Sequence, residues 1–184
     1  SCVDFKTADL VDPTAFDSNL LASATMKGKL YALPLTTGSV GIFANMALLQ
    51  ECGVTKVPET IDELLAACAA VKAKGYQPFR CMPISMSFLV EGMTEYEVCK
   101  DGKNDAFVKA ALSADPSVGD YFATAADFLT ACVQNGDLDT ESLVYIPENE
   151  SGGGNEQPIT SYMQECYAFL HGDVAFYPNA SDVL

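Results

Sequence analysis

Lys27-Gly28-Lys29-Leu30-Tyr31-Ala32-Leu33-Pro34-Leu35, running on through Thr36-Thr37-Gly38-Ser39-Val40-Gly41-Ile42-Phe43-Ala44-Asn45, is the stretch on which the fold turns. It reads as two strand-like runs around a polar break. Leu30, Ala32 and Leu35 bracket Tyr31 and Leu33. Val40, Ile42 and Ala44 then alternate with Gly41, Phe43 and Asn45, the two-residue period of a strand. The break, Thr36-Thr37-Gly38-Ser39, carries hydroxyls and a glycine, so backbone and side chains there can approach a polar ligand closely. Taken by itself the stretch is an ordinary hairpin or a kinked strand, and the rest of the chain decides what more it is.

Downstream, 46–52 reads as a short helix stopped by Gly53. Pro58-Glu59-Thr60-Ile61-Asp62-Glu63 is a capping box, with Thr60 as N-cap and Glu63 three residues on. Ile61, Leu64, Leu65, Cys68 and Val71 follow at helical spacing, and Lys72, Lys74 and Gly75 close that helix in keeping with its dipole. Upstream, Asp12-Pro13 marks a turn and 15–26 can form a short helix. A strand is expected over 77–82, between Pro78 and Pro83, then helices over 84–98 and 105–113. Pro116 opens the next helix, whose stripe is Tyr121, Phe122, Ala125, Phe128, Leu129, Cys132 and Val133, ending at Asn135-Gly136. Residues 136–158 are polar and glycine-rich and read as loop. Ile159, Tyr162, Met163, Cys166, Phe169 and Leu170 outline a last helix, and 174–177 a closing strand. That order predicts an α/β layered domain, rich in helix, around a small sheet.

Composition narrows the function. The chain has 184 residues, 49% of them hydrophobic, enough for a sizeable core, and carries 10 Lys and Arg against 25 Asp and Glu. A formal charge of −15 argues against nucleic acid and anionic lipid, both of which demand a basic face. No run of about 18 apolar residues occurs, so no transmembrane segment is expected. The opening Ser1-Cys2-Val3-Asp4-Phe5-Lys6 lacks the basic and apolar regions of a signal peptide. The 7 cysteines are widely and irregularly spaced, without a C-x-x-C or a Cys/His cluster, so no metal site or other cofactor is expected. Cys68, Cys132 and Cys166 fall on apolar helix faces and read as small buried hydrophobes.

For catalysis the sequence offers little. The only histidine, His171, stands at a helix end beside Gly172, where it suits the last carbonyls. A hydrolase would have to pair this one residue with a Cys or Ser nucleophile. Asp137, Asp139, Glu141 and Glu148 partly match a calcium loop, but Ser142 stands where the sharp turn needs glycine, which favours a solvated acidic loop.

Several segments together resemble one family. Gly28-Lys29-Leu30-Tyr31-Ala32-Leu33-Pro34 is similar to the G-K-x-Y-x-x-P of extracellular solute-binding proteins of ABC importers, the sugar-binding group that includes maltose-binding protein. Phe43-Ala44-Asn45-Met46 and Ala47-Leu48-Leu49-Gln50-Glu51-Cys52-Gly53 then match its strand ending Tyr-Asn-Lys and the helix after it. Pro58-Glu59-Thr60-Ile61-Asp62-Glu63-Leu64 matches P-x-T-W-x-E-L, and Val71-Lys72-Ala73-Lys74-Gly75-Tyr76-Gln77-Pro78 matches L-K-x-x-G-x-x-P. Phe169-Leu170-His171-Gly172-Asp173-Val174-Ala175-Phe176 resembles F-x-x-G-x-A-M.

The resemblance implies a periplasmic-binding-protein-like (type II) lobe cut from a two-lobed protein. Residues 1–28 would be the approach segment from a missing first lobe, and 29–184 the second lobe. It implies no enzyme but a substrate-capture component that binds a small polar solute, a sugar or oligosaccharide foremost, for delivery to a membrane permease. Such a protein is extracellular or periplasmic and lipid-anchored through a signal segment. Ligand contacts carry over to Thr36, Thr37, Gly38 and Ser39, to Ser85, Met86 and Ser87 after the central strand, and to Tyr177 and Asn179, flanking Pro178, after the last. The family's lysine is here Met46 and its P-x-T-W tryptophan Ile61. The chain has no tryptophan at all, so Tyr or Phe would have to stack on a sugar, and a peptide or polyamine stays open. The competing classes are the His171 hydrolase and a protein-interaction module.

Overall fold

The computed structural model of the chain describes residues 3–8, 12–36, 38–81, 83–102, 104–139 and 161–181. They form two compact units, Ser1–Ser39 and Val40–Leu184.

The first unit is built from capped turns. Asp12 accepts from the Thr14 N–H at 2.9 Å to start the 3₁₀ turn Pro13–Ala15, and Asp17 accepts from the Asn19 N–H at 2.8 Å to start α1, Ser18–Ser23. Strands β1 (Thr25–Met26) and β2 (Lys29–Leu30) form a hairpin in the register Thr25↔Leu30 and Met26↔Lys29. Its two loop residues, Lys27 and Gly28, have φ of 51° and 77°. Two positive φ values in succession define the tight turn that matches strand twist, and they explain why glycine stands at 28. The hairpin therefore lies one step upstream of where the sequence suggests it. From Tyr31 to Thr36 the chain takes no regular structure, and Val40 starts a strand of a different sheet.

The second unit holds a four-stranded sheet in the order β3-β6-β4-β5, with β3 Val40–Ala44, β4 Gln77–Arg80, β5 Leu138–Asp139 and β6 Val174–Ala180. Strands β4, β5 and β6 are parallel, and β3 pairs antiparallel with β6. Central β6 is buried from Val174 through Asn179, the unbroken run of a strand covered on both faces. The helices are α2 Met46–Glu51, α3 Ile61–Ala73, α4 Pro83–Cys99, α5 Asn104–Leu112, α6 Ala123–Asn135 and α7 Ser161–His171. On one face Phe79 and its register partner Phe176 meet Leu64, Cys68 and Val71 of α3, Phe128 and Cys132 of α6, and Met86 and Leu89 of α4. Phe79 lies 5.3 Å from Phe176 and edge-on to Phe128 at 6.3 Å, centroid to centroid. On the other face Phe43 and its partner Tyr177 stack with Phe169 of α7. The unit is a helix–sheet–helix sandwich.

The capping box forms with one shift. Thr60 Oγ1 accepts from the Glu63 N–H at 3.2 Å, but the Glu63 carboxylate reaches past the cap to the N–H of Glu59, at 2.8 Å, and to Lys56. Replacing Thr60 with alanine removes one acceptor for a free helix N–H and is expected to lower stability by about 1 kcal/mol. A urea midpoint unmoved by Thr60→Ala would show that the cap does not hold α3.

The helix expected from Pro116 onward is two elements, a 3₁₀ turn over Pro116–Phe122 and then α6. The tighter pitch of the turn changes the phase of its side chains relative to α6. Phe122 accordingly stays exposed while Ala125, Phe128 and Cys132 are buried. Gly136, at φ 69°, ends α6 in the left-handed conformation. Leu138–Asp139, within the segment that reads as loop, is a strand.

Candidate functional site

Open α/β sheets bind ligands beyond the carboxyl ends of their parallel strands. In the second unit that end is formed by Arg80, Asp139 and the last residues of β6. Arg80 and Asp139 are register partners and form an ion pair at 2.9 Å. Strand β6 outlasts β4 here, and the reason is Pro178. The Asn45 N–H donates to the Ala175 carbonyl at 2.9 Å, so the odd-numbered residues of β6 bond to β3 and the even-numbered ones face β4. Pro178 has no N–H to continue that ladder, and the pairing of β4 with β6 ends at Phe79↔Phe176.

The chain leaves β4 at Arg80 and starts α4 at Pro83, a residue suited to the first helical position because it has no N–H to satisfy there. Ser85, Met86 and Ser87 lie in this first turn. Ser85 is fully buried and donates its hydroxyl to Glu165 Oε2 of α7 at 2.8 Å, across 80 residues of sequence. Met86 is buried at the mouth of a cavity of about 860 Å³, which the exposed Ser87 also lines. Tyr177 and Asn179 lie within β6 rather than after it, because the strand runs on to Ala180, and both are buried. Asn179 Nδ2 donates to the Tyr177 hydroxyl at 2.5 Å, and Asn179 Oδ1 accepts from the Ala180 N–H at 2.7 Å. Thr36, Gly38 and Ser39 are exposed in the first unit, and Thr37 lies outside the described residues. The structure thus joins Tyr177 to Asn179 directly and ties Ser85 to a residue that sequence reasoning missed.

That residue, Glu165, is 2% exposed. Burial pushes its carboxyl up from the usual 4.5 to about 7, against the opposing effects of the Ser85 hydrogen bond and the Arg80 charge. Its Oε1 has no hydrogen-bond partner among the described residues. In the sequence it sits between Gln164 and Cys166 on a helix, indistinguishable from a solvent-facing acid.

The remaining candidates have structural partners. Asp137 is buried and paired with Lys72 at 2.6 Å, and Lys72 also donates to the Asn135 carbonyl. Glu141, Ser142 and Glu148 lie outside the described residues. Burial pushes the Cys132 thiol up to about 12, and those of Cys68 and Cys81 also well up, which suits packing rather than nucleophilic chemistry. His171 is exposed at the end of α7, its ring centroid 6.2 Å from that of Tyr167. Among the described residues no hydrogen bond joins it to a serine or cysteine.

The helix–sheet–helix unit, with β3 antiparallel to β6 at one edge, has the fold of a periplasmic-binding-protein-like domain. The match to solved structures agrees. A probable secreted solute-binding lipoprotein from Streptomyces coelicolor superposes with a TM-score of 0.70 at 19% identity, over 98% of this chain and 42% of that one. A family 1 extracellular solute-binding protein from Bifidobacterium longum subsp. infantis gives 0.63 at 18%, over 100% and 44%. The GacH receptor of Streptomyces glaucescens, solved unliganded and with acarbose, gives 0.63 at 18%, over 97% and 40%. At these identities the likeness is one of fold, and the chain spans about two fifths of each structure's length. No curated protein matches the sequence. A family model does, over residues 1–183, and the chain belongs to the bacterial extracellular solute-binding proteins.

Proposed function

We propose that the chain is the second lobe, with its approach segment, of the substrate-capture component of an ABC importer. In this reading the ligand is a sugar or oligosaccharide held between two lobes and handed to a membrane permease, and a lipid anchor keeps the protein outside the membrane. The observation that carries it, beside family membership, is the end of the sheet where β6 outlasts β4. The start of α4, bearing 85–87, and the last residues of β6, bearing 177–179, lie at that end of the sheet, where such folds take ligands. Ser87 offers a polar contact in the second unit; Thr36, Thr37, Gly38 and Ser39 are separately proposed as contacts on the family resemblance alone. Ser85, Tyr177 and Asn179, buried and hydrogen-bonded, hold these two segments in position. Closure is then a population shift driven by a ligand that touches both lobes.

A single lobe supplies only part of those contacts. The 184-residue chain is therefore expected to bind maltooligosaccharides and chitooligosaccharides with Kd above about 1 mM. The two-lobed parent, at 100 times its Kd, gains about 2.7 kcal/mol from its cognate sugar, read as a rise in Tm. A parent that no member of a saccharide panel stabilises would refute the sugar reading. Micromolar binding by the chain alone would refute the shared site.

A further inference from the structure

The cavity beside α4 shares Met86 and Ser87 with the proposed sugar contacts, but its other walls have the chemistry of a different binding site. Its walls come from Val90 and Val98 of α4, Phe107 and Val108 of α5, and Phe122. Phe107 is held edge-on against Tyr121 at 5.1 Å, so the aromatic wall is braced from behind. At about 860 Å³ the cavity lies within the range of small-molecule sites, and like them it is mostly apolar with a few polar groups.

The charged groups among them have one sign. Glu91 and Glu95 stand one turn apart on α4 and both line the cavity. Like charges at this spacing repel, and neither has an ion-pair partner among the described residues. The nearby cation of the same helix end, Lys100, is held by Glu97 at 2.5 Å. Between the two glutamates in sequence lies Thr94, another lining residue, 7% exposed, whose Oγ1 has no hydrogen-bond partner among the described residues. A buried hydroxyl left unpaired is uncommon and calls for a partner.

We propose that this cavity binds a small amphipathic monocation, an ammonium group carrying an aryl or short alkyl body. The ammonium sits against Glu91 and Glu95 and donates an N–H to Thr94 Oγ1. The apolar body lies against Val90 and Val98, with the faces of Phe107 and Phe122 beside the charge, where aromatic rings attract cations. A neutral sugar would leave most of its hydroxyls unpaired against these walls, and an anion would meet two carboxylates. The site is carried by the second unit alone. Unlike sugar capture, it requires no first lobe.

Titrating 2-phenylethylammonium into the 184-residue chain, with neutral 2-phenylethanol as comparator, tests this. The cation is expected to bind with Kd below about 1 mM and about tenfold more tightly than the alcohol. Raising salt should narrow that gap. Replacing both exposed carboxylates, Glu91→Gln with Glu95→Gln, should abolish the preference while leaving the fold intact, and Val90→Trp should block both probes by filling the cavity. Equal affinity for the two probes, a preference that survives loss of both carboxylates, or no binding by a folded chain would each overturn the proposal. The saccharide panel reads a different outcome, so either idea can fail without the other.

Discussion

Phe79→Ala is expected to cost the chain about 3–5 kcal/mol, the range for emptying a buried aromatic site. Phe79 is 0% exposed and sits where β4, β6, α3 and α6 meet, with Phe176 and Phe128 as ring neighbours. Cys68, Val71 and Cys132, in the same cluster, are short and themselves fully buried, and refill such a space poorly. Tm should fall by roughly 6–20 °C, at about 2–4 °C per kcal/mol for a chain of this size. Leu112→Ala is the control: Leu112 is 85% exposed, and its loss should stay within about 0.5 kcal/mol. A cost below about 1 kcal/mol for Phe79→Ala, read from urea midpoints, would mean that the two faces of aromatic rings are not the core.

The second large effect is a dependence of stability on pH. The Glu165 carboxyl is held at about 7 by burial. Below pH 4.5 it carries its proton whether the chain is folded or not, and folding costs nothing extra. Between pH 4.5 and 7 the unfolded chain ionises Glu165 while the folded chain keeps it neutral, so stability falls as pH rises. The loss is complete above pH 7 and amounts to about 3 kcal/mol. Acidification from pH 8 to 4.5 should therefore stabilise the protein through this group. The groups around the carboxyl are Ser85 and Arg80, which favour its charged form, and the thiol of Cys81, which burial keeps neutral. Exposed acids that are lowered, Asp12 by Thr14, Glu63 by Lys56 and Asp115 by Ser117, oppose the trend only at lower pH. The diagnostic is the difference between wild type and Glu165→Gln: the variant keeps the shape and a donor and acceptor but should lose the slope between pH 4.5 and 7. Parallel curves for the two proteins would show that Glu165 ionises freely in the fold.

Local chemistry was legible in the sequence wherever it sufficed. The Thr60 cap, the spacing of Leu64, Cys68 and Val71, and the stop at Gly136 were all readable within a few residues, and the structure realises each. What was not legible rests on partners far away in the chain. Leu138–Asp139 is too short and too polar a segment to read as a strand, and becomes one because β4 offers an edge, with Gln77 Nε2 donating to the Asp137 carbonyl at 3.0 Å. Glu165 looks like any surface acid until Ser85 is brought to it. Burial of Tyr177 and Asn179 follows from β6 lying second in the sheet, an ordering that no periodicity reports. Expected contacts taken from family likeness fell on both exposed and buried positions for that reason.

The proline in β6 has a consequence for what the rim of the sheet admits. Past Phe176, the side of β6 that faces β4 has no donor to offer: Pro178 lacks an N–H, and that of Ala180 is bonded to Asn179 Oδ1 at 2.7 Å. A peptide arriving in extended form would find carbonyls and no matching amides, so it could not add itself as a further strand. Natural sheets commonly guard such edges with lysine or a bulge. Here one ring and one side-chain amide keep this side of β6 from templating another chain.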